Sequence, residues 1–275
     1  MELKNIYAVY FSATGTTEKI VTRIAKGLSE KMKLPISNID FTLPKVREEK
    51  LQFSAEDIVV FGTPVYAGRV PNVLLPYLTN NIQGNDALAI PIVLYGNRNY
   101  DDALIELRNI LEENKFHTIG GGAFIGEHSF SYTLAAHRPD DNDIKIADEF
   151  TEKICTYIHG LSETPSTPAF VEGEEPIRPY YTPRDRKGNP VNILKVKPKT
   201  KDSCTQCGIC AEVCPMGSIS REDVTQYIGI CIKCGACVKK CPEGAKYYDD
   251  EKYLYHQHEL EDGFARRAEP ELFIG

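Results

Sequence analysis

Hydrophobic positions in the first 160 residues alternate between two kinds of pattern. Short, nearly continuous apolar runs are typical of strands buried on both faces, and segments with apolar residues at helical spacing separate them. The runs predict five strands, at residues 5–11, 35–40, 57–62, 87–95 and 117–126. The helical spacing predicts helices that end near residue 31 and that cover residues 73–78, 101–114 and 144–159. This alternation predicts an α/β fold with a doubly wound, five-stranded parallel sheet.

The pattern changes after residue 161, and the change divides the chain into four segments. The first domain is expected at residues 1–161. Residues 162–193 contain six prolines, which disfavour regular structure and predict an extended linker that lies against another part of the protein. A cysteine-rich domain is predicted at residues 194–249, and a charged tail at residues 250–275. The apolar residues of the tail predict that it packs a helix or a strand back on the body.

The motif C-x2-C-x2-C-x3-C-P occurs twice between residues 204 and 242 and contains eight of the nine cysteines. Thiolates at such short spacing can converge on one metal centre, because a looping backbone lets three sulfurs approach a common point. A disulfide framework and a pair of zinc knuckles are the alternatives. Disulfides suit small secreted chains, and zinc sites are usually built from cysteine pairs, not from triplets followed by Cys-Pro. The spacing therefore favours iron–sulfur clusters.

Residues 194–249 resemble a bacterial two-cluster [4Fe–4S] ferredoxin, which implies a small α+β fold and two bound [4Fe–4S] clusters. By this resemblance, the fourth cysteine of each motif crosses over to the other cluster. One cluster is expected on Cys204, Cys207, Cys210 and Cys241. The other is expected on Cys231, Cys234, Cys237 and Cys214. Gly208 and Gly235 lie between ligands, where a missing side chain lets the backbone approach a cluster closely.

The first strand is followed by a hydroxyl-rich turn and the start of a helix, an arrangement that can bind an anion. Backbone N–H groups at a helix N-terminus point outward and carry partial positive charge. The turn lacks the lysine of a nucleoside-triphosphate P-loop and the G-x-G-x-x-G dinucleotide fingerprint. A simple helix cap is the alternative. The turn resembles the phosphate loop of flavodoxins, which implies binding of the FMN phosphate by Ser12, Thr14, Gly15, Thr16 and Thr17.

Two further loops follow the third and fourth strands and resemble the flavodoxin loops that bracket the isoalloxazine ring. The first consists of Thr63, Pro64, Val65, Tyr66, Ala67 and Gly68. The second consists of Gly96, Asn97, Arg98, Asn99 and Tyr100. The resemblance implies the flavodoxin strand order 2-1-3-4-5, with Tyr100 stacked on the flavin and Tyr66 at its opposite face or edge. A partly buried loop aromatic without contact to a flavin is the alternative for each tyrosine.

Arginines and histidines surround this expected flavin position. Arg69 and Arg98 would stabilise an anionic reduced flavin, or else they are solvated or dock the second domain. The long loop at residues 127–143 is expected to cover the flavin or to seat the cysteine-rich domain. Within this loop, His128 and His137 are candidates for a proton donor, and a hydrogen bond that packs the loop is the alternative for each.

Two other features have simple interpretations. Four lysines alternate along the start of the cysteine-rich domain, at positions 195, 197, 199 and 201. They indicate either a solvated edge strand or a docking patch for an acidic partner. Cys155 lies on the apolar side of the last predicted helix of the first domain and is interpreted as a buried structural thiol.

Composition argues against several classes of protein. The 275 residues carry 39 acidic and 32 basic side chains, for a net charge of −7, and no basic stripe suggests a nucleic-acid partner. No apolar run approaches the roughly 18 residues that span a membrane. The N-terminus does not resemble a signal peptide, so a cytoplasmic location with reduced thiols is expected. Exposed iron–sulfur clusters fit an anaerobic or low-oxygen cell.

The two resemblances together imply a flavodoxin fused to a two-cluster ferredoxin, an iron–sulfur flavoprotein arrangement. We expect an electron-transfer protein that passes electrons between two [4Fe–4S] clusters and bound FMN, and that meets redox partner proteins. The alternative is an FMN-dependent reductase of a small acceptor, with the clusters as its electron supply. A redox sensor with structural clusters is a third hypothesis. The absence of a nicotinamide fingerprint implies that another protein supplies the electrons. A homodimer is compatible with the sequence.

Overall fold

The computed structural model describes residues 2–275. Strands and helices alternate through the N-terminal part of the chain, as the apolar pattern predicts. The strands are β1 (Asn5–Tyr10), β2 (Ile36–Asp40), β3 (Leu51–Gln52), β4 (Asp57–Pro64), β5 (Ile82–Gln83), β6 (Leu88–Tyr95), β7 (His117–Thr118) and β8 (Gly120–Ile125). The helices are α1 (Thr16–Met32), α2 (Leu75–Asn80), α3 (Ala103–Glu113) and α4 (Asp141–Gly160). A short 3-10 helix covers Pro44–Glu48.

The central sheet has five parallel strands in the spatial order β2-β1-β4-β6-β8. β4, β6 and β8 are the third, fourth and fifth of the predicted strands, so this is the doubly wound order 2-1-3-4-5. The predicted fold class is therefore confirmed. The fifth predicted strand is interrupted at Ile119, and its two parts, β7 and β8, both pair with β6. The carboxyl ends of β4, β6 and β8 therefore lie side by side at one edge of the sheet, where ligands of such folds bind.

An additional strand, β11 (Glu271–Ile274), extends the sheet beyond β8 and runs antiparallel to it. This strand comes from the C-terminal tail and was not placed in the predicted sheet. Glycines in β8 permit the close approach, since a Cβ atom on Gly120 would lie 2.7 Å from the carbonyl oxygen of Phe273. The sheet of the first domain is thus completed by the last residues of the chain.

Helices cover both faces of the sheet. On one face, α1 and α4 pack together with Ile24, Leu28 and Phe150 fully buried. On the other face, α2 and α3 cover a second apolar core that includes Phe41 and Phe61. Because both faces are covered, β4 and β6 are buried along almost their whole length. Cys155 is buried on α4, as interpreted from the sequence, and burial raises the pKa of its thiol.

The linker follows an extended path over the first domain, as its prolines predict. The backbone N–H of Ala169 donates to Thr118 O at 3.1 Å, and that of Tyr181 donates to Ala67 O at 2.8 Å. Between these points, Arg178 forms a two-point ion pair with the buried carboxylate of Asp102. Backbone and side-chain bonds therefore attach the linker along its course.

The cysteine-rich domain contains little regular structure, and the tail folds back on the body. The elements are β9 (Lys199–Thr200), α5 (Ile209–Glu212), α6 (Ala236–Lys239), β10 (Lys246–Tyr247) and α7 (Glu251–Gly263). β9 and β10 form an antiparallel pair. Leu260 of α7 is buried, so the predicted packing of the tail is confirmed. Within residues 2–275, the chain forms no helix with both the length and the apolar character that a bilayer span requires.

Candidate functional site

The eight motif cysteines surround two separate cavities. The first cysteine site, a cavity of about 300 Å³, is lined by Cys204, Cys207, Cys210 and Cys241. The second cysteine site, a cavity of about 340 Å³, is lined by Cys214, Cys231, Cys234 and Cys237. This is the crossed grouping that the ferredoxin resemblance implies, with the fourth cysteine of each motif facing the triplet of the other. Among residues 2–275, none of the nine cysteines forms a disulfide bond.

The backbone around the two cysteine sites repeats. Gly208 and Gly235 have φ angles of 82° and 75°, and they begin α5 and α6 directly after the second cysteine of each triplet. Backbone N–H groups also point at sulfur: Ser218 N lies 3.3 Å from Cys214 Sγ, and Ala245 N lies 3.2 Å from Cys241 Sγ. Such N–H donors stabilise thiolate ligands and tune the potential of a cluster. The donor set therefore fits two four-cysteine iron–sulfur clusters.

Across the described part of the chain, no group of three or more His, Cys, Asp or Glu residues is arranged to hold a single metal ion. A [4Fe–4S] cluster distributes its four thiolates over four different irons, so its ligands surround a larger volume than those of one ion. The two cavities above have this form.

A larger cavity, the ring cavity, lies at the carboxyl ends of β4 and β6, with about 930 Å³ of space when its mouth, open to solvent, is included. Seven of the residues expected to bracket a flavin ring line it: Val65, Tyr66, Ala67, Gly68, Gly96, Arg98 and Asn99. Burial raises the pKa of Tyr66 well above its usual value, and negative charge on Cys234 and Cys231 adds a smaller effect in the same direction. Tyr66 thus lies between the ring cavity and the second cysteine site.

The structure does not bring Tyr100 to the ring cavity. Its ring is buried against Tyr95, with 5.6 Å between the centroids, and its hydroxyl donates to Glu271 Oε2 of β11 at 2.6 Å. Tyr100 therefore contacts the added strand and does not line the ring cavity, and its stacking on a flavin stays a prediction. Tyr66 is the predicted aromatic that remains at the cavity.

Three other predicted residues also point elsewhere. The amide of Asn97 donates to the carbonyl oxygens of Phe264 and Arg266, both at 2.6 Å, so it holds the tail. Thr63 is fully buried in β4, with no hydrogen-bond partner for its hydroxyl, and Pro64 ends that strand outside the cavity lining. These residues support the loops around the cavity without facing it.

The two arginines differ in role. Arg69 forms a two-point ion pair with Glu106, at 2.7 and 2.6 Å, and its guanidinium lies 4.7 Å from the ring centroid of Tyr180 in the linker. It therefore holds the linker in place. Arg98 lines the ring cavity, pairs with Asp101, and lies 4.2 Å from the ring centroid of Tyr181. Of the pair, Arg98 alone lines the ring cavity.

A second cavity, the loop cavity, lies at the N-terminus of α1 and has a volume of about 820 Å³. Thr14, Gly15 and Thr16 line it, and the backbone N–H groups of Thr16 and Thr17 have no acceptor among residues 2–275. These free donors fit an anion such as a phosphate. Ser12 does not line the cavity, and its Oγ accepts from Glu18 N in the first turn of α1 at 3.0 Å. A hydroxyl that accepts this bond can still donate to a phosphate, so its predicted role stays a prediction. The Thr17 side chain is buried outside the lining.

The loop at residues 127–143 reaches both the ring cavity and the cysteine-rich domain. It lines the ring cavity through His128, Ser129 and Phe130, and it lines the loop cavity through Glu127 and its later residues. It also seats the cysteine-rich domain, since a Cβ atom on Gly235 would lie 2.7 Å from the carbonyl oxygen of Ser129. The two cavities are therefore joined by one loop, and the second domain rests on that loop.

His128 does not donate a proton at neutral pH, and the role of His137 stays a prediction. Burial, together with the positive charges of His256 and Lys239, lowers the pKa of His128 to about 4, so its ring is neutral at neutral pH. His128 Nδ1 accepts from Phe130 N at 3.1 Å, which is a bond that packs the loop. His137 lines the loop cavity and has a left-handed backbone, with φ of 65°.

Sequence reasoning missed the cavity residues that come from distant segments. They are Lys19, Tyr181, Ile193, Leu194, Ile232, Lys233, Lys239, His256 and Leu260. Lys19 could have been found, because it lies on the first turn of a helix whose N-terminus was already assigned to an anion. The others belong to the linker, the cysteine-rich domain and the tail, and no sequence signal placed those segments at the cavities.

The parallel sheet, its edge cavities and the two four-cysteine sites together define a protein with two kinds of redox site. Comparison with protein families agrees. Residues 7–115 match the family model described as a flavodoxin domain, and residues 203–252 match the model described as a 4Fe-4S dicluster domain. The chain therefore joins a flavodoxin domain to a 4Fe-4S dicluster domain, and it is an FMN and iron–sulfur redox protein. The exact domain boundaries stay predictions.

Solved structures with a similar fold are flavodoxins and related flavoproteins. An archaeal flavodoxin has 16% identity and a TM-score of 0.40, with 57% of this chain and 99% of that chain covered. The Streptococcus pneumoniae TIGR4 flavodoxin has 18% identity and a TM-score of 0.38, with 55% and 98% covered. Flavodoxin 2 of Bacillus cereus has 15% identity and a TM-score of 0.39, with 57% and 99% covered. No curated protein gives a significant match.

Proposed function

We propose that this protein transfers electrons between redox partner proteins and its own flavin, by way of its two iron–sulfur sites. One observation carries the proposal. Ile232 and Lys233, which lie within the second cysteine motif, form part of the wall of the ring cavity. Ile232 also lines the second cysteine site. The two kinds of redox site therefore share a wall inside a single chain.

The arrangement supports an order for the three sites. Cys234 of the second cysteine site packs in the same apolar core as the residues near the ring cavity. Cys207 of the first cysteine site is exposed to solvent. We assign the first cysteine site to the encounter with a partner protein and the second to the exchange with the flavin.

The chain's own residues bind, orient and shield the cofactors. The eight thiolates would hold the clusters, and the N–H donors to sulfur would stabilise their negative charge. The free N–H groups of α1 would hold the FMN phosphate, and Tyr66 and the loop after β6 would position the ring. Bound clusters supply one-electron relay and bound FMN supplies storage of one or two electrons. The apolar residues Ile193 and Ile232 would exclude water from the ring.

The covered ring cavity favours an electron carrier over a reductase of small acceptors. The linker contributes Tyr181 and Pro183 to its wall, and the tail contributes His256 and Leu260. With these segments and the cysteine-rich domain around the cavity, a small acceptor has less access to the flavin. Neither His128 nor His256 supplies a proton at neutral pH, because burial lowers the pKa of both to about 4.

Anaerobic purification followed by iron, sulfide and flavin analysis tests the proposal. We expect roughly eight irons and one FMN per chain, since each [4Fe–4S] cluster brings four irons. A stepwise reductive titration should then show iron–sulfur and flavin absorbance changing together, with fast equilibration between them. Absence of flavin, or fewer than about four irons per chain, would exclude the proposal. Sustained turnover of a quinone or a ferric chelate by the isolated protein would instead support the reductase.

A further inference from the structure

The loop cavity is completed by a residue of the other domain. Lys239, the last residue of α6, lines it together with Thr14, Gly15 and Thr16. In the sequence, Lys239 lies between a cysteine of the second site and a cysteine of the first site. The cysteine-rich domain therefore contributes a positive charge to the expected phosphate position of the flavodoxin domain.

The ammonium group of Lys239 is fixed in place but not fully paired. Its Nζ donates to Glu127 Oε1 at 2.6 Å and to the carbonyl oxygen of Ser131, and it lies 3.8 Å from the ring centroid of Tyr132. Two of its three N–H donors have hydrogen-bond acceptors among residues 2–275, and the third, which lies beside the face of the Tyr132 ring, is the one that a phosphate would accept. The side chain is only 12% exposed, so little further desolvation would accompany binding.

The carboxylate of Glu127 offsets one of the positive charges that line the loop cavity. Its second oxygen accepts from His137 N at 2.9 Å, so both of its oxygens already have donors. Lys19 adds a second ammonium group to the lining, with its Nζ 2.7 Å from the carbonyl oxygen of Pro139. Two lysines and the free N–H groups at the start of α1 outweigh one carboxylate, which favours an anionic ligand.

We propose that Lys239 binds the phosphate of FMN and thereby couples flavin binding to docking of the cysteine-rich domain. This inference rests on the proposed function, because it requires FMN across the two cavities. A ligand held by both domains strengthens their contact, and by linkage a firmer contact strengthens binding of the ligand. Riboflavin lacks the phosphate, so it gains nothing from Lys239.

The test uses the full chain with its iron–sulfur sites loaded and its flavin removed. Dissociation constants for FMN and for riboflavin are measured by flavin fluorescence for the wild type, Lys239→Met, Lys239→Arg and Lys240→Met. Lys240 is the matched control, since it is the adjacent, exposed lysine and does not line the loop cavity. We expect Lys239→Met to weaken FMN binding by about tenfold or more, as for loss of a charge-assisted hydrogen bond.

Riboflavin binding should be unchanged in Lys239→Met, Lys239→Arg should keep most of the FMN affinity, and Lys240→Met should match the wild type. FMN should also slow hydrogen exchange in α6 of the wild type more than riboflavin does, because only FMN brings a phosphate to Lys239. Equal FMN affinity of the wild type and Lys239→Met overturns the inference. An equal loss of FMN and riboflavin affinity also overturns it, because that result indicates a purely structural lysine. A wild-type protein that binds neither flavin instead refutes the proposed function itself.

Discussion

Gly235 offers a direct test of how the cysteine-rich domain rests on the flavodoxin domain. Substitution by alanine would place a Cβ atom 2.7 Å from the carbonyl oxygen of Ser129 and 3.3 Å from its Cβ. Gly208 is the equivalent residue of the first motif, with φ of 82° against 75°, and a Cβ there has no neighbour within 4 Å. The pair therefore separates the interdomain contact from the local effect of adding a methyl group.

The expected size of the difference follows from these contacts. A left-handed alanine costs roughly 1–2 kcal/mol, and this cost is common to both variants. The overpacked contact with Ser129 adds about 1–3 kcal/mol in Gly235→Ala alone. The loop is held against this displacement, because Phe130 N donates to His128 Nδ1 and Ser131 N donates to the carbonyl oxygen of His128. At about 1.4 kcal/mol for each factor of ten, docking should weaken by roughly 5- to 150-fold.

Hydrogen exchange of the loop at residues 127–138 reports this equilibrium, because undocking of the second domain exposes the loop amides. Gly235→Ala should accelerate their exchange by the factor given above, and Gly208→Ala should leave it close to wild type. Iron content of both variants is measured first, to establish that both cysteine sites are still loaded. Equal acceleration in the two variants, or none in either, would refute the assignment of Ser129 as the seat of the domain.

Three further predictions concern the cysteines, a buried tyrosine and a histidine. The double variant Cys204→Ala/Cys241→Ala should lose no more than the roughly four irons of one site, because both cysteines belong to the first cysteine site. The double variant Cys231→Ala/Cys241→Ala should lose both clusters. Iron analysis showing the reverse would refute the crossed grouping. Tyr100→Phe should lower the unfolding free energy by about 1.5–3 kcal/mol in denaturant titrations, because the hydrogen bond to a carboxylate of β11 is lost. FMN affinity should not change. Unchanged stability would contradict the role of Tyr100 in holding β11. The pKa of His128 is lowered to about 4, so below pH 6.5 the unfolded chain binds more protons than the folded one. The unfolding free energy should therefore decline from pH 6.5 towards pH 4. His128→Gln should flatten this decline, and parallel curves of unfolding free energy against pH for the two proteins would count against the prediction.

The sequence predicted the parts of the molecule that depend on local patterns. The sheet order follows from apolar runs and helical spacing, and the two cysteine sites follow from spacing within a few residues. The position of Tyr100 could not be predicted in this way, since it depends on β11, which begins 171 residues later at Glu271. A four-residue segment with three apolar residues is compatible with either edge of a sheet, and its pairing with β8 depends on the small glycines there.

The cavity residues also fall into those that local sequence patterns predict and those that only the three-dimensional packing reveals. The turn at the start of α1 and the loop after β4 were found from the sequence, because each directly follows a predicted strand. Lys239 and His256 were not found, because their positions depend on how separate segments pack in three dimensions. Contacts between domains leave no periodic signal in a single sequence, so these contributions required the structure.

The position of β11 has a consequence for how the two halves of the molecule can move. The cysteine-rich domain leaves the flavodoxin domain after α4, and the chain returns to that domain at Glu271–Ile274. It is therefore topologically an insertion with two tethers, not an appendage on one flexible arm. A single cut in the linker would not release it, and wide swinging motions would first require β11 to leave the sheet. During synthesis, the flavodoxin sheet also cannot be completed until the whole inserted domain has been made.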